Sequence, residues 1–403
     1  MVNRRPNKLE GSVEIEEISN LVSSVGGEVV ESLIFNIPNK RPFLGKGQLQ
    51  KIQRLAKSSN CDFVVFSESL NLRNILNIEK YVTCKVIDRT KLILDLFSQN
   101  ARTAESKIQV ERAQLSYTLP RLTRMWTHLS RQAGGIGVRG PGETQLESDK
   151  RQIRKRISIL DKKLKNIEKL GVERRKSRKN LIKVALVGYT NAGKSTFMNL
   201  ATSAGVLSED RLFSTLDSTS KIFKILNQKV LLSDTVGFIK NLPPSLIASF
   251  RSTLSELNEA DLIWHVVDSS RDDIESQIQV TNQILEDLNV SNKEKWYLFN
   301  KVDLVRDDLM LKFTESENVY CMSAKTKFGL SQIFDDLQKW IMKKLKKIRI
   351  FVPFDRDDLF KIIHAEGYIL DQKLKNDGMV YTIIIPENLL NYFKQYVLAL
   401  EKK

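Results

Sequence analysis

The sequence predicts a mixed α/β chain: a central, doubly wound domain with a mostly parallel sheet, preceded by an α/β domain carrying a helical hairpin and followed by a small α/β domain. Three observations lead there. Between 181 and 347, short apolar runs alternate with amphipathic helical stretches, the pattern of parallel strands joined by crossover helices. A glycine-bearing turn, Gly188-Tyr189-Thr190-Asn191-Ala192-Gly193-Lys194-Ser195, stands where the first of those strands gives way to a helix. Upstream, a long and strongly basic helical stretch separates this region from a first set of short strands.

The 403 residues divide into an α/β domain of nucleotide-binding-like type (1–95), the hairpin with a glycine-rich tip loop (96–180), the central domain (181–347) and the C-terminal domain (348–403). In the first, 29–37, 63–66 and 85–88 read as strands, with a helix over 48–58 between them. Next, Phe97, Ala101, Ala104, Ile108 and Leu115 fall near one face of a helical pattern that ends at Leu119-Pro120. Its expected partner carries Ile153, Ile157, Leu160, Leu164 and Ile167, alternating four and three apart as a heptad seam. Between the two, 134–142 is too rich in glycine and proline for regular structure, and Arg131 and Arg139 beside that permissive backbone suit contact with a polyanion. Residues 348–403 read as strand, helix, two strands around Gly378, and helix.

Composition sets limits. Hydrophobic residues make up 41% of the chain and no apolar run reaches the length of about 20 that a spanning helix needs, so no transmembrane segment is expected. The polar start lacks a signal-peptide core. Cys61, Cys84 and Cys321 are odd in number, with no Cys-x-x-Cys pair, which fits a reducing cytoplasm and no thiol chemistry. His128, His265 and His364 lack ligand spacing and read as structural. The net charge of +16 calls for an acidic partner, nucleic acid first. Much of the excess lies in 150–183, where Lys155, Lys162 and Lys169 belong to a run of cations with few acidic partners at helical spacing.

Four motifs, each at the end of an expected strand, carry the chemistry. In 188–195, followed by Thr196, glycines let backbone N–H groups wrap phosphates at a helix N-terminus. There Lys194 is expected to bridge the β- and γ-phosphates and Ser195 to bind Mg²⁺. Asp234-Thr235-Val236-Gly237 places a magnesium-holding carboxylate at a strand tip and the Gly237 N–H at the γ-phosphate. Asn300-Lys301-Val302-Asp303 and Ser323-Ala324-Lys325 select the base. The Asp303 carboxylate accepts from guanine N1–H and the 2-amino group, a pair adenine lacks; Lys301 lies along the base and the Ala324 N–H meets O6. GTP or GDP and Mg²⁺ are the expected ligands. Thr215 is the candidate switch threonine and metal ligand, with Thr219 as runner-up in the same mobile segment. Phe238 follows Gly237 and has no amide to orient water, so slow intrinsic hydrolysis is expected.

The flanks narrow the family. Asp88-Arg89-Thr90, Leu92-Ile93-Leu94-Asp95, Ala101-Arg102-Thr103, Gln114-Leu115 with Tyr117, Leu119-Pro120-Arg121-Leu122, His128-Leu129-Ser130-Arg131-Gln132, the 134–142 loop with Glu143-Thr144-Gln145-Leu146-Glu147, and Asp234-Thr235-Val236-Gly237-Phe238 closely resemble the HflX family of ribosome-associated GTPases. Gln48 departs from that pattern, standing where Gly45-Lys46-Gly47 is commonly followed by lysine. The resemblance implies a cytoplasmic GTPase that binds the large ribosomal subunit and its RNA through the basic hairpin and tip loop, splits ribosomes into subunits in its GTP state, and is reset by hydrolysis. A monomer in solution is expected. The alternative reading is a regulatory switch acting on a protein or membrane partner without RNA contact, and the basic hairpin is what separates the two.

Overall fold

A computed structural model describes residues 1–4, 8–35, 43–124, 141–176, 181–202, 219–225, 228–240, 255–305, 317–386 and 389–400. The chain forms two units, one of 1–172 with 209–217 and 236–255, the other of 173–208 with 218–235 and 256–403. Among the described residues, no helix is long and apolar enough to cross a membrane.

The first unit begins β1 (Val2–Arg4), α1 (Lys8–Ser24), β2 (Leu33–Phe35), α2 (Lys46–Ser58), β3 (Phe63–Val65), α3 (Leu72–Glu79) and β4 (Lys85–Ile87). β1 pairs with β2 and β3 with β4, both in parallel, and a parallel bridge from Val2 to Phe66 joins the pairs. Phe35, Leu49, Ile52, Val64, Phe66, Ile75 and Ile78 form the core beneath. Gln48 Oε1 accepts the Gly45 N–H at 2.8 Å, satisfying the backbone at the start of α2 with an acceptor that a lysine at this position would lack. Helix α1 goes beyond the sequence reading because it buries the acids Glu14 and Glu17 along with Ile18 and Leu21. Buried charge needs partners: Asn3 donates to Glu14 at 3.4 Å and the buried Arg89 guanidinium pairs with Glu17 at 2.9 Å.

One expected helix is two. The stretch from Phe97 to Leu115 splits into α4 (Arg89–Asn100) and α5 (Ala104–Thr118). Ala101 is extended, and the Thr103 hydroxyl accepts the Ser106 N–H at 3.1 Å as a fresh N-cap. The interruption resets the helical phase, so α5 buries Ser106, Gln109, Val110 and Ala113 instead of the expected Ala104 and Ile108 face. Helix α6 (Pro141–Lys176) follows, and its seam matches the expected one: Leu160 is buried and Ile153, Ile157, Leu164 and Ile167 are half-buried. Arg112 to Asp161 at 2.9 Å and Arg156 to Glu111 at 2.7 Å tie α5 to α6. Residues 125–140, which hold most of the tip loop, lie outside the described residues.

The second unit is built on β5 (Ile182–Gly188), α7 (Lys194–Thr202), β6 (Thr219–Ile225), β7 (Gln228–Asp234), β8 (Leu262–Asp268), α8 (Ile274–Asp287), β9 (Lys295–Asn300), β10 (Val319–Cys321) and α9 (Leu330–Lys344). The strands form one six-stranded sheet in the order β10-β9-β8-β5-β7-β6, parallel except for the β6–β7 pair. Every residue of the central strand β8 is buried, as expected for a sheet covered on both faces. Trp264 of β8 packs edge-on to Phe197 of α7 at 5.4 Å and against Trp296 of β9 at 6.3 Å, which clamps the phosphate-loop helix to the sheet.

The C-terminal residues add β11 (Lys346–Pro353), α10 (Asp357–Glu366), β12 (Tyr368–Lys375), β13 (Gly378–Ile385), α11 (Leu390–Phe393) and β14 (Val397–Leu400), an antiparallel sheet ordered β12-β13-β11-β14. The expected last helix is only four residues long, and the chain then pairs as β14 along the open edge of β11. An apolar run beside an unpaired edge gains ladder hydrogen bonds that its own periodicity does not advertise.

Candidate functional site

Backbone geometry builds the phosphate loop. β5 ends at Gly188, with φ +147°, where a Cβ would come within 2.1 Å of the Val266 carbonyl on neighbouring β8. Asn191 takes φ 61° and Gly193 φ +93°, so the chain turns back on itself before α7 begins at Lys194. Tyr189, Thr190 and Ala192 are buried, and Thr196 is half-buried in the first turn of α7.

Lys194 is buried at the mouth of this loop, its ammonium donating to the Gly188 carbonyl at 3.1 Å and the Tyr189 carbonyl at 2.8 Å. Burial pushes its pKa down to about 8, against an upward pull from Asp234. The Ser195 hydroxyl donates to Asp234 Oδ2 at 2.6 Å. At the tip of β7 the Thr235 hydroxyl donates to the Leu186 carbonyl at 2.7 Å, pinning that tip to β5.

The third and fourth motifs meet the loop through one side chain. Asn300 Nδ2 donates to the Ala192 carbonyl at 2.8 Å, and Asn300 Oδ1 accepts the Ala324 N–H at 2.9 Å. Here the structure differs from the expectation that the Ala324 N–H meets guanine O6: that N–H is taken by Asn300, because β9 and β10 lie side by side and bring the two ends together. Ser323 is buried, its hydroxyl accepting the Thr326 N–H at 3.1 Å, whereas Lys325 and Asp303 are exposed. Lys301 adopts φ 64° and its ammonium pairs with Asp268 at 2.8 Å.

Three further residues are expected at the site, Thr215, Thr219 and Gly237. Thr215 lies outside the described residues. Thr219, expected in a mobile segment, instead opens β6 in register with Asp234, held by the antiparallel ladder. Gly237 is buried and belongs, with Val236, Phe238 and Ile239, to the first unit, where the Lys240 carbonyl accepts from Arg89 at 2.8 Å. Asp268 was missed by sequence reasoning. Its signal was available: an acid at the carboxyl end of a central parallel strand, where ligands of such sheets bind.

Comparison with known proteins agrees with this arrangement. Family models described as "GTP-binding GTPase N-terminal", "GTP-binding GTPase Middle Region" and "50S ribosome-binding GTPase" match residues 12–98, 100–178 and 183–301. The GTPase HflX of Caldanaerobacter subterraneus is 36% identical over 95% of this chain and 91% of its own. That of Flavobacterium psychrophilum is 46% identical over 74% of this chain and 75% of its own, and that of Escherichia coli 37% identical over 91% and 88%. This chain belongs to the HflX family of ribosome-associated GTPases. A solved structure described as the SsGBP and GDP complex aligns at 25% identity over 84% of this chain and 97% of that one, with a TM-score of 0.48.

As an HflX GTPase the chain hydrolyses GTP to GDP and phosphate with Mg²⁺. The residues present fit both ligands. A hydroxyl and a carboxylate 2.6 Å apart are the hard oxygen donors that Mg²⁺ takes. The Thr190 hydroxyl is buried with no partner among the described residues, and Lys194 is a desolvated cation, so a polyphosphate would satisfy both. When bound, the ion neutralises charge on the β- and γ-phosphates.

Proposed function

We propose that this HflX protein binds the large ribosomal subunit in its GTP state and separates stalled or idle ribosomes into subunits, with hydrolysis resetting it in the cytoplasm. One observation carries this reading. Helix α6 turns its apolar seam inward and leaves Arg151, Arg154, Lys155, Lys162, Lys163, Lys165 and Lys169 exposed, none of them in an ion pair among the described residues. Surface cations left unpaired on so long a helix repel one another, and a phosphate backbone removes that penalty. The tip loop of 134–142, expected from its sequence to contact a polyanion, takes part in that RNA contact in this reading.

At the nucleotide, Lys194 and the loop N–H groups hold the phosphates, Ser195 and Asp234 hold Mg²⁺, and Thr215 joins them when the γ-phosphate is present. Thr219, locked in β6, suits a switch role less well. Asp303, exposed just after β9, accepts from the guanine N1–H and 2-amino groups, and Lys301 lies along the base. Asn300 ties the base-reading loops to the phosphate loop, so ordering one orders the other. Phe238 is buried and brings no group to orient water, which supports slow turnover until a partner supplies it.

Sedimentation of ribosomes with the protein and GTP, a non-hydrolysable analogue or GDP tests the proposal. Subunits should appear with the first two and not with GDP. Reversing the charges of Lys155, Lys162 and Lys169 together should abolish co-sedimentation at moderate salt; binding that survives this change points instead to a protein or membrane partner.

A further inference from the structure

Asp268 closes β8 beside Asn300, with which it is in register across the β8–β9 pair, and it is buried. Its two oxygens do different work. Oδ1 accepts the Ser270 N–H at 3.1 Å and the Ser270 hydroxyl at 2.6 Å, shaping the turn after the strand. Oδ2 takes the Lys301 ammonium at 2.8 Å. Lys301 itself has φ 64°, a left-handed conformation that a lysine keeps only where its surroundings hold it, and fixing so flexible a stem costs entropy. The Ser269 N–H donates to the Asn300 carbonyl at 2.9 Å, so the backbone next to Asp268 also braces the residue before Lys301.

We propose that Asp268 is a positioning residue for guanine binding: by pairing with Lys301 it orders the lysine stem before the base arrives, so that the cost of ordering is not subtracted from nucleotide affinity. The inference rests on the reading that Lys301 lines the base. It separates two duties within the pocket, Asp303 telling guanine from other bases and Asp268 setting how tightly any purine is held.

The isosteric Asp268→Asn tests this, since an amide placed with its oxygen toward Ser270 keeps both of those bonds while turning an N–H₂ donor toward the ammonium. Affinities of the full chain for GTP, GDP and inosine triphosphate, which lacks the 2-amino group, are measured for Asp268→Asn, Lys301→Met and the double variant. Asp268→Asn should weaken all three nucleotides by the same factor, roughly tenfold, leave kcat at saturation and the magnesium requirement unchanged, and have no further effect once Lys301 is methionine. Asp268→Glu, which restores the charge, should recover part of the loss, and a melting temperature read alongside separates misfolding from mispositioning. A full Asp268→Asn effect in the Lys301→Met background overturns the proposal, as does a Lys301→Met variant of weakened affinity beside an Asp268→Asn variant of normal affinity. If Lys301→Met alone leaves every affinity unchanged, the underlying reading of Lys301 is what fails, and the proposal with it.

Discussion

The Ser195 hydroxyl stands 2.6 Å from the Asp234 carboxylate, joining two motifs that lie 39 residues apart in the chain. That pair is the candidate magnesium seat. Ser195→Ala is expected to weaken GTP binding by about 10- to 100-fold in the presence of Mg²⁺, while binding measured in chelator changes little. Fluorescent-nucleotide titrations with and without the ion read the difference; equal losses in both conditions would assign Ser195 to packing.

Asp303 is exposed at the end of β9 while Asn300 beside it is buried and doubly bonded. Asp303→Asn should cost GTP roughly 3 kcal/mol, more than a hundredfold in Kd, and should gain affinity for xanthosine triphosphate, whose 2-oxo group accepts where guanine donates. Competition between the two nucleotides is the measurement.

Lys194 couples binding to protons. With its pKa lowered from 10.5 to about 8, the folded chain without nucleotide sheds this proton between those values while the unfolded chain keeps it, so stability from this group rises with pH across that window and is flat below it. A triphosphate favours the charged amine and raises its pKa again. Calorimetry at about pH 9, in two buffers of different ionisation enthalpy, should therefore show proton uptake on GTP binding that vanishes near pH 7. Identical enthalpies in the two buffers at the higher pH would contradict it.

His265 lies buried in β8, its pKa pushed down to about 3 by burial and by the nearby Lys295 and Lys194 charges. It is neutral in the fold and takes a proton in the unfolded chain below its ordinary value of 6.5, so stability is complete above 6.5 and falls as pH drops toward 3. The slope should approach about 1.4 kcal/mol per pH unit. Urea midpoints between about pH 7 and 5 measure it, and a His265→Gln variant should flatten the curve.

Gly193 cannot carry a side chain: a Cβ there would lie 2.1 Å from Asn300 Nδ2, at φ +93°. Gly193→Ala should break the Asn300 bond to Ala192 and cost roughly 1–3 kcal/mol of stability, with GTP affinity falling alongside. Thermal melts with and without GTP check both.

The nucleotide motifs were legible because each is a run of neighbours whose geometry is set locally. Strand, turn and helix N-terminus follow one another within 182–202, and glycine at 188 and 193 announces backbone that no other residue tolerates. The α6 seam was legible for a similar reason, since a heptad is written along one helix. The α4–α5 break was not, because helical periodicity runs across Ala101 to Thr103 while a single hydroxyl cap decides where the chain restarts. Nor was the burial of Glu14 and Glu17, since the partner of Glu17 is Arg89, 72 residues away.

By itself, then, the sequence determined the family, the order of the motifs and the chemistry each can perform, since those depend on residue type and near-neighbour spacing. Tertiary structure alone decided which partners those residues keep. Asn300 reaches Ala192 across 108 residues, Asp268 meets Lys301 across 33, and the Ala324 N–H turns to Asn300. Such contacts depend on strand order in a parallel sheet, which places distant segments side by side, and hydrogen bonds a few ångströms long are decided only after that packing has formed.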